Sequence, residues 1–175
     1  KHEYHLAENK EQRKSLIALL QASKSFCFDT ETTDIDANRA ELVGMSFAVN
    51  PHEAWYVPVP AVYDEAREIV QEFKSVFENS TKEKAGQNIK YDMMILKWYD
   101  VEVKNPLFDT MLAHYLLEPD MRHNMDVLSE IYLGYEPVHI GSLIGEKKSE
   151  QVSMREVAVD LVKDYAAEDA DVTLQ

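Results

Sequence analysis

The chain has 175 residues, 45% of them hydrophobic, which is enough for one sizeable core and too little for two ordinary ones, so a single domain over 1–175 is expected. Its 18 basic and 32 acidic side chains leave a net charge of -14, which excludes a broad basic face for gripping duplex nucleic acid. Cys27 is the only cysteine, so neither a disulfide framework nor a thiolate zinc site can be built, and no apolar run approaches the ~20 residues of a membrane span.

The amino end, Lys1-His2-Glu3-Tyr4-His5, does not lead into a signal-peptide core, so a soluble, cytoplasmic monomer with no membrane partner is expected. There is no initiator methionine, and the last helical pattern stops without a capping residue, which reads as an excised fragment of a longer chain. A first helix is predicted over Ala7 to Ala22, with Leu16, Ile17, Leu19 and Leu20 as its apolar side. Strands follow at Ser25 to Thr30, Glu41 to Val49 and Ala54 to Val59, the first two forming an antiparallel hairpin across a short polar interval. Helical spacing of Ala66, Ile69, Val70, Phe73, Val76 and Phe77 predicts a helix from Asp64 to Glu78. Alternation then sets in: a strand at Ala85 to Asn88, a helix at Tyr91 to Tyr99, an extended piece at Leu107 to Thr110 and a helix at Met111 to Leu117. Helices at Asp126 to Tyr132 and Val157 to Gln175 flank an irregular loop, Gly134 to Met154. Hairpins followed by strand and helix alternation predict an α/β fold, a mixed sheet with helices on both faces.

Carboxylates stand in that pattern where core residues belong. In Phe26-Cys27-Phe28-Asp29-Thr30-Glu31-Thr32, alternation along a strand turns Cys27, Asp29 and Glu31 to one face. Two adjacent negative charges in an apolar setting need a proton or a cation, unless this strand end simply lies in solvent. Asp92 shares a helical face with Ile95, Leu96 and Tyr99, and Asn88 lies four residues before it; the competing reading is a helix-dipole contact worth ~0.3–1 kcal/mol. Val157, Leu161, Tyr165, Asp169 and Val172 form one stripe, so Tyr165 and Asp169 face inward, whereas Glu168 and Asp171 read as solvated charge. Four acids break their local patterns in the same manner, and such failures gather at functional sites. An all-oxygen donor set selects hard cations such as Mg²⁺ or Mn²⁺. Two such ions suit attack of water on a phosphodiester, with the ions ~3.5–4 Å apart.

Asp29-Thr30-Glu31, Asn88 to Asp92 and Tyr165 to Asp169 resemble the three motifs of the DEDD exonuclease superfamily, in its tyrosine-bearing branch. Gly86-Gln87-Asn88-Ile89-Lys90-Tyr91-Asp92, Phe108-Asp109-Thr110-Met111-Leu112 and Tyr165 through Gln175 are similar to the 3'-5' exonuclease (proofreading) domain of bacterial DNA polymerase I. The resemblance implies a ribonuclease H-like fold with a central five-stranded mixed sheet flanked by helices. It implies that Asp29, Glu31, Asp92 and Asp169 hold two divalent cations, Mg²⁺ or Mn²⁺, with Tyr165 orienting the attacking water. The implied partners are a single-stranded or frayed DNA 3' end and the polymerase domain of the same parent chain. Substrate contacts carried over in this way are Thr30, Ile35 against the terminal base, Gln87, Asn88 and Tyr91 near sugar and phosphate, and Arg122 and His123 near the scissile phosphate. Packing competes as a reading of Ile35 and Tyr91. Ile140 departs from the pattern, because relatives place a stacking phenylalanine near that point. An RNA-trimming enzyme resembling ribonuclease D and an inactive domain that supports a polymerase or binds DNA ends are the alternatives.

Overall fold

The computed structural model describes residues 1–147 and 149–175. In chain order the elements are β1 (Glu3–Leu6), α1 (Lys10–Ala22), β2 (Ser25–Thr32), β3 (Leu42–Asn50), β4 (Glu53–Pro58), α2 (Tyr63–Glu72), α3 (Lys74–Phe77), β5 (Glu83–Gly86), α4 (Ile89–Trp98), β6 (Leu107–Asp109), α5 (Thr110–Leu117), α6 (Met125–Leu128), α7 (Gly141–Ile144) and α8 (Val159–Leu174). A π-helical turn, Ser129–Leu133, extends α6, and a 3-10 turn, Met154–Glu156, precedes α8.

The strands make one mixed sheet in the order β1-β4-β3-β2-β5-β6. It has six strands where five were expected. The extra one, β1, pairs parallel with β4 from Glu3↔Glu53 to Leu6↔Tyr56. Only Tyr4 and Leu6 supply apolar alternation there, so an edge strand this short is created by its neighbour's free backbone groups rather than by its own pattern. The β2–β3 hairpin is antiparallel as expected, and β5 and β6 add in parallel beyond β2. The long helix expected at 64–78 is split at Phe73, whose ring stacks on Phe47 with centroids 5.1 Å apart. The loop expected at 134–154 contains the one-turn helix α7.

Helices cover both faces, and the two cores differ in grain. Facing α1 to α4 are large side chains: Phe26, Phe28, Phe47, Phe73 and Phe77 pack with Leu16, Leu20, Val70, Ile95 and Leu96. The other face is built of small ones. Cys27, Ala48 and Ala54 of the sheet meet Ala167 and Ala170 of α8, all five without solvent contact. Small side chains on both partners let a helix axis approach a sheet closely, and α8 therefore lies deep against β1 to β5. Gly44 belongs to this arrangement, because a Cβ there would stand 2.2 Å from the Tyr56 hydroxyl oxygen.

The turn into α4 is fixed by a side chain from β6. Asn88 takes the left-handed conformation (φ 57°), which asparagine tolerates better than most residues. The Asp109 carboxylate accepts from the backbone N–H groups of Asn88 (3.2 Å) and Ile89 (3.1 Å), and also from that of Leu112 (3.1 Å). One carboxylate thus caps both α4 and α5. Asp109→Ala should lower stability by about 1–2 kcal/mol, or roughly 2–8 °C in a thermal melt. An unchanged melting temperature would show that these caps contribute nothing.

Candidate active site

Three carboxylates from two elements meet where β2 passes under α8. Asp29 and Glu31 point from the small-residue face of β2, as strand alternation requires, and Asp169 descends from α8 onto the same spot. One oxygen of each lies within 4.8 Å of one from both others. The fourth acid, Asp92, arrives from α4 on the opposite face. Its Oδ1 accepts from the Thr30 backbone N–H (3.1 Å) and the Thr30 hydroxyl (2.5 Å), which places it beside Asp29 at the end of the sheet. Tyr165 is one helical turn before Asp169 on α8, partly buried beside the acids.

Burial makes this grouping unfavourable when all the acids are charged. The Asp29 carboxyl is pushed up to about 7 by loss of solvent. Glu31 rises well above the usual carboxylate range, first through burial and then through the charges of Asp29 and Asp92. Asp92 rises through burial and the charge of Asp29, and Asp169 through burial followed by Asp29 and Glu31. The Tyr165 hydroxyl is held protonated by burial and by the charges of Asp169, Glu31 and Asp29. Glu31 Oε1 and Asp169 Oδ1 are also buried without a hydrogen-bond partner among the described residues. A buried carboxylate oxygen without a hydrogen-bond partner is met by a proton, a water or a cation, and a cation neutralises several clustered carboxylates at once. The donor set, all carboxylate oxygen, fits a hard divalent ion.

A groove of about 950 Å³ opens beside the acids, lined by Thr30, Glu31, Ile35, Asn88 and Tyr91 together with Ile140, Ile144, Val152 and Met154. Ile35 is 96% exposed at its rim. The loop that carries it is held by Tyr91, whose hydroxyl donates to the Asp34 carbonyl (2.5 Å) and lies 2.6 Å from the Thr32 hydroxyl. The other expected contacts lie apart from this groove. Gln87 donates to the backbone carbonyl of His123 (2.6 Å), the His123 ring sits 2.7 Å from that of His114, and Arg122 is exposed on the same segment.

Two readings of α8 are corrected. Glu168 and Asp171 are buried rather than solvated, at 3% and 2% exposure. Glu168 accepts from the Tyr135 hydroxyl and the Val138 N–H, and Asp171 accepts from the Tyr4 hydroxyl and the His52 N–H. Their partners come from segments distant in sequence, so composition alone could not reveal them. Leu161, placed on the inward stripe, is 58% exposed because the stripe that meets the sheet runs through Val162 and Ala166, which pack with Val43 and Tyr56. Asp109 stands directly before an apolar helical run, an N-cap signal in the sequence that points to its role.

The family model for the 3'-5' exonuclease domain of DNA polymerase A matches residues 4–175. DNA polymerase I of Pseudomonas aeruginosa is 38% identical over 165 residues, covering 89% of this chain and 18% of that protein. DNA polymerase I of Borreliella burgdorferi is 32% identical over 163 residues, covering 91% and 17%. The chain spans under a fifth of the length of these curated relatives. Among solved structures, Brucella melitensis NrnC with bound Mg²⁺ superposes with a TM-score of 0.72 at 16% identity, over 99% of this chain and 77% of that one. Escherichia coli RNase D gives 0.71 at 17% identity, over 98% and 42%. The sheet, the acids and the extent of the match agree: the chain belongs to the 3'-5' exonuclease domain family of DNA polymerase A and has its ribonuclease H-like α/β fold.

Proposed function

We propose that this domain hydrolyses the terminal phosphodiester at a DNA 3' end with the help of two divalent cations, Mg²⁺ or Mn²⁺, and releases nucleoside 5'-monophosphates. The observation that carries this reading is the buried carboxylate cluster, with its partnerless oxygens, at the edge of an open groove. Asp29, Glu31, Asp92 and Asp169 would hold the cations. Bound there, the cations supply charge neutralisation, Lewis acidity toward phosphate oxygens and acidification of water.

The chain's own residues account for the rest. The Tyr165 hydroxyl stays protonated across the physiological range, so it orients water by hydrogen bonding and does not serve as a base. Thr30 fixes the rotamer of Asp92 through two hydrogen bonds. Ile35, on a loop pinned by Tyr91, offers an aliphatic surface to a terminal base, and Asn88 and Tyr91 lie where sugar and phosphate would pass. A net charge of -14 disfavours a duplex and suits a short single-stranded end whose affinity comes from cations and apolar contacts. Polymerase I relatives favour DNA as substrate and proofreading for a polymerase on the same parent chain as the role.

Asp29→Ala and Asp169→Ala should each reduce Mg²⁺-dependent degradation of a 5'-labelled single-stranded DNA by about 100-fold or more. A variant as fast as the parent would remove the acids from the mechanism. Matched DNA and RNA strands separate this reading from RNA trimming, which requires the RNA to be degraded faster. Mn²⁺ titration calorimetry separates it from an inactive scaffold, for which no saturable binding is expected.

Raised carboxyl pKa values also make metal-free stability depend on pH. A carboxyl near 7 when folded and near 3.9 when unfolded contributes stability that is intact below about pH 4 and lost as pH rises through the folded value. In EDTA the melting temperature should therefore fall between pH 5 and pH 8, and saturating Mg²⁺ should restore it most at pH 8. Asp29→Asn should flatten the fall. Equal melting curves at the two pH values in EDTA would show that burial does not raise these carboxyls.

A further inference from the structure

The part of the groove lining supplied by Ile140 and Ile144 follows a segment that has almost no core of its own. From Ile131 to Ile140 every residue except Pro137 is exposed, and Gly134 to Ile140 has no regular secondary structure. Ser129 closes its near end, its hydroxyl donating to the Tyr135 carbonyl (2.7 Å). Apart from the bonds to Ser129, which include one from the Tyr135 N–H to the Ser129 carbonyl (3.3 Å), and the turns of α7, the hydrogen bonds that tie 135–140 to the rest of the described residues both end on Glu168. The Tyr135 hydroxyl donates to its Oε1 (2.5 Å) and the Val138 N–H to its Oε2 (2.6 Å). Two residues after Val138 comes Ile140, which together with Ile144, Ile35 and Glu31 lines the groove.

We propose that Glu168 is a positioning residue that latches the Tyr135–Val138 segment to α8 and so sets the Ile140 and Ile144 wall against which the terminal nucleotides of the substrate lie. The inference rests on the exonuclease reading of the groove. A charged acceptor with two donors is the strongest hydrogen-bonding arrangement an exposed segment of this kind can have. Glu168 neighbours Asp169 on one rigid helix, so the wall and the acid cluster keep a fixed separation. Glu168 acts on substrate affinity through this wall and makes no contact with the reacting atoms.

Two variants test the latch from its two sides. Glu168→Gln removes the charge, and Tyr135→Phe removes one donor without altering α8. Each should raise KM for a single-stranded DNA about three- to tenfold, with kcat within about twofold of the parent and the Mn²⁺ binding isotherm unchanged. The double variant should be no worse than Glu168→Gln. Native-state hydrogen exchange of the Val138 amide should accelerate in Glu168→Gln. A fall in kcat at unchanged KM, or unaltered exchange at Val138, overturns the proposal. If the parent hydrolyses nothing, the exonuclease reading fails on its own. Binding of a single strand ending in a phosphorothioate, followed by fluorescence anisotropy, then decides the latch: three- to tenfold weaker binding in Glu168→Gln supports it and equal binding overturns it.

Discussion

Burial of several carboxylates side by side is the constraint around which this domain is arranged. Asp29, Glu31 and Asp169 have oxygens within 4.8 Å of one another, and burial strengthens every such interaction by removing the solvent that would screen it. They are held together by apolar packing elsewhere. The contact of Cys27, Ala48 and Ala54 with Ala167 and Ala170 brings α8 down onto the sheet and carries Asp169 with it. On the reverse face the phenylalanine cluster holds β2 and β3 against α1 to α4. Stability from packing is thus set against electrostatic cost at the site, a balance that protons or divalent cations relieve.

Helix α8 is central to this economy because it presents acids in several directions at once. Asp169 and Tyr165, four residues apart, face the cluster, while Glu168 and Asp171, three apart, face outlying segments. Asp171 holds the β1 strand and the β3–β4 turn through Tyr4 and His52, and Glu168 holds the segment that leads to Ile140. A helix fixed by small-residue contacts can therefore register the edge strand, the acid cluster and one wall of the groove against each other. Asp109 plays a comparable part on the far side, where a single carboxylate orders the starts of α4 and α5 and with them the placement of Asp92.

Hydrophobic periodicity foretold most of the elements to within a few residues, because their cores are dense and their patterns long. The misses share a cause. Strand β1 has only Tyr4 and Leu6 to mark it and exists because β4 offers an unpaired edge. Leu161 keeps the helical period of α8 but lies beside the buried stripe, which Val162 and Ala166 occupy. Glu168 and Asp171 looked like surface charge because acids on helices commonly are, and their hydroxyl and amide donors come from 30 to 167 residues away. Local patterning reports which side of an element is apolar, whereas partners for a buried polar atom are matters of global topology.

By itself, the sequence determined the class of fold, the exclusion of cysteine chemistry and the choice of candidate acids. These follow from composition and from whether a carboxylate interrupts an apolar period, both of which are local. Tertiary structure alone decided that three of the acids crowd together while Asp92 joins from the other face through Thr30. It also decided that Ile35 and Ile140 line the same groove while Gln87, Arg122 and His123 are not part of its lining. Such distances depend on how closely α8 can approach the sheet, and that depth is set by the sizes of side chains far apart in the chain.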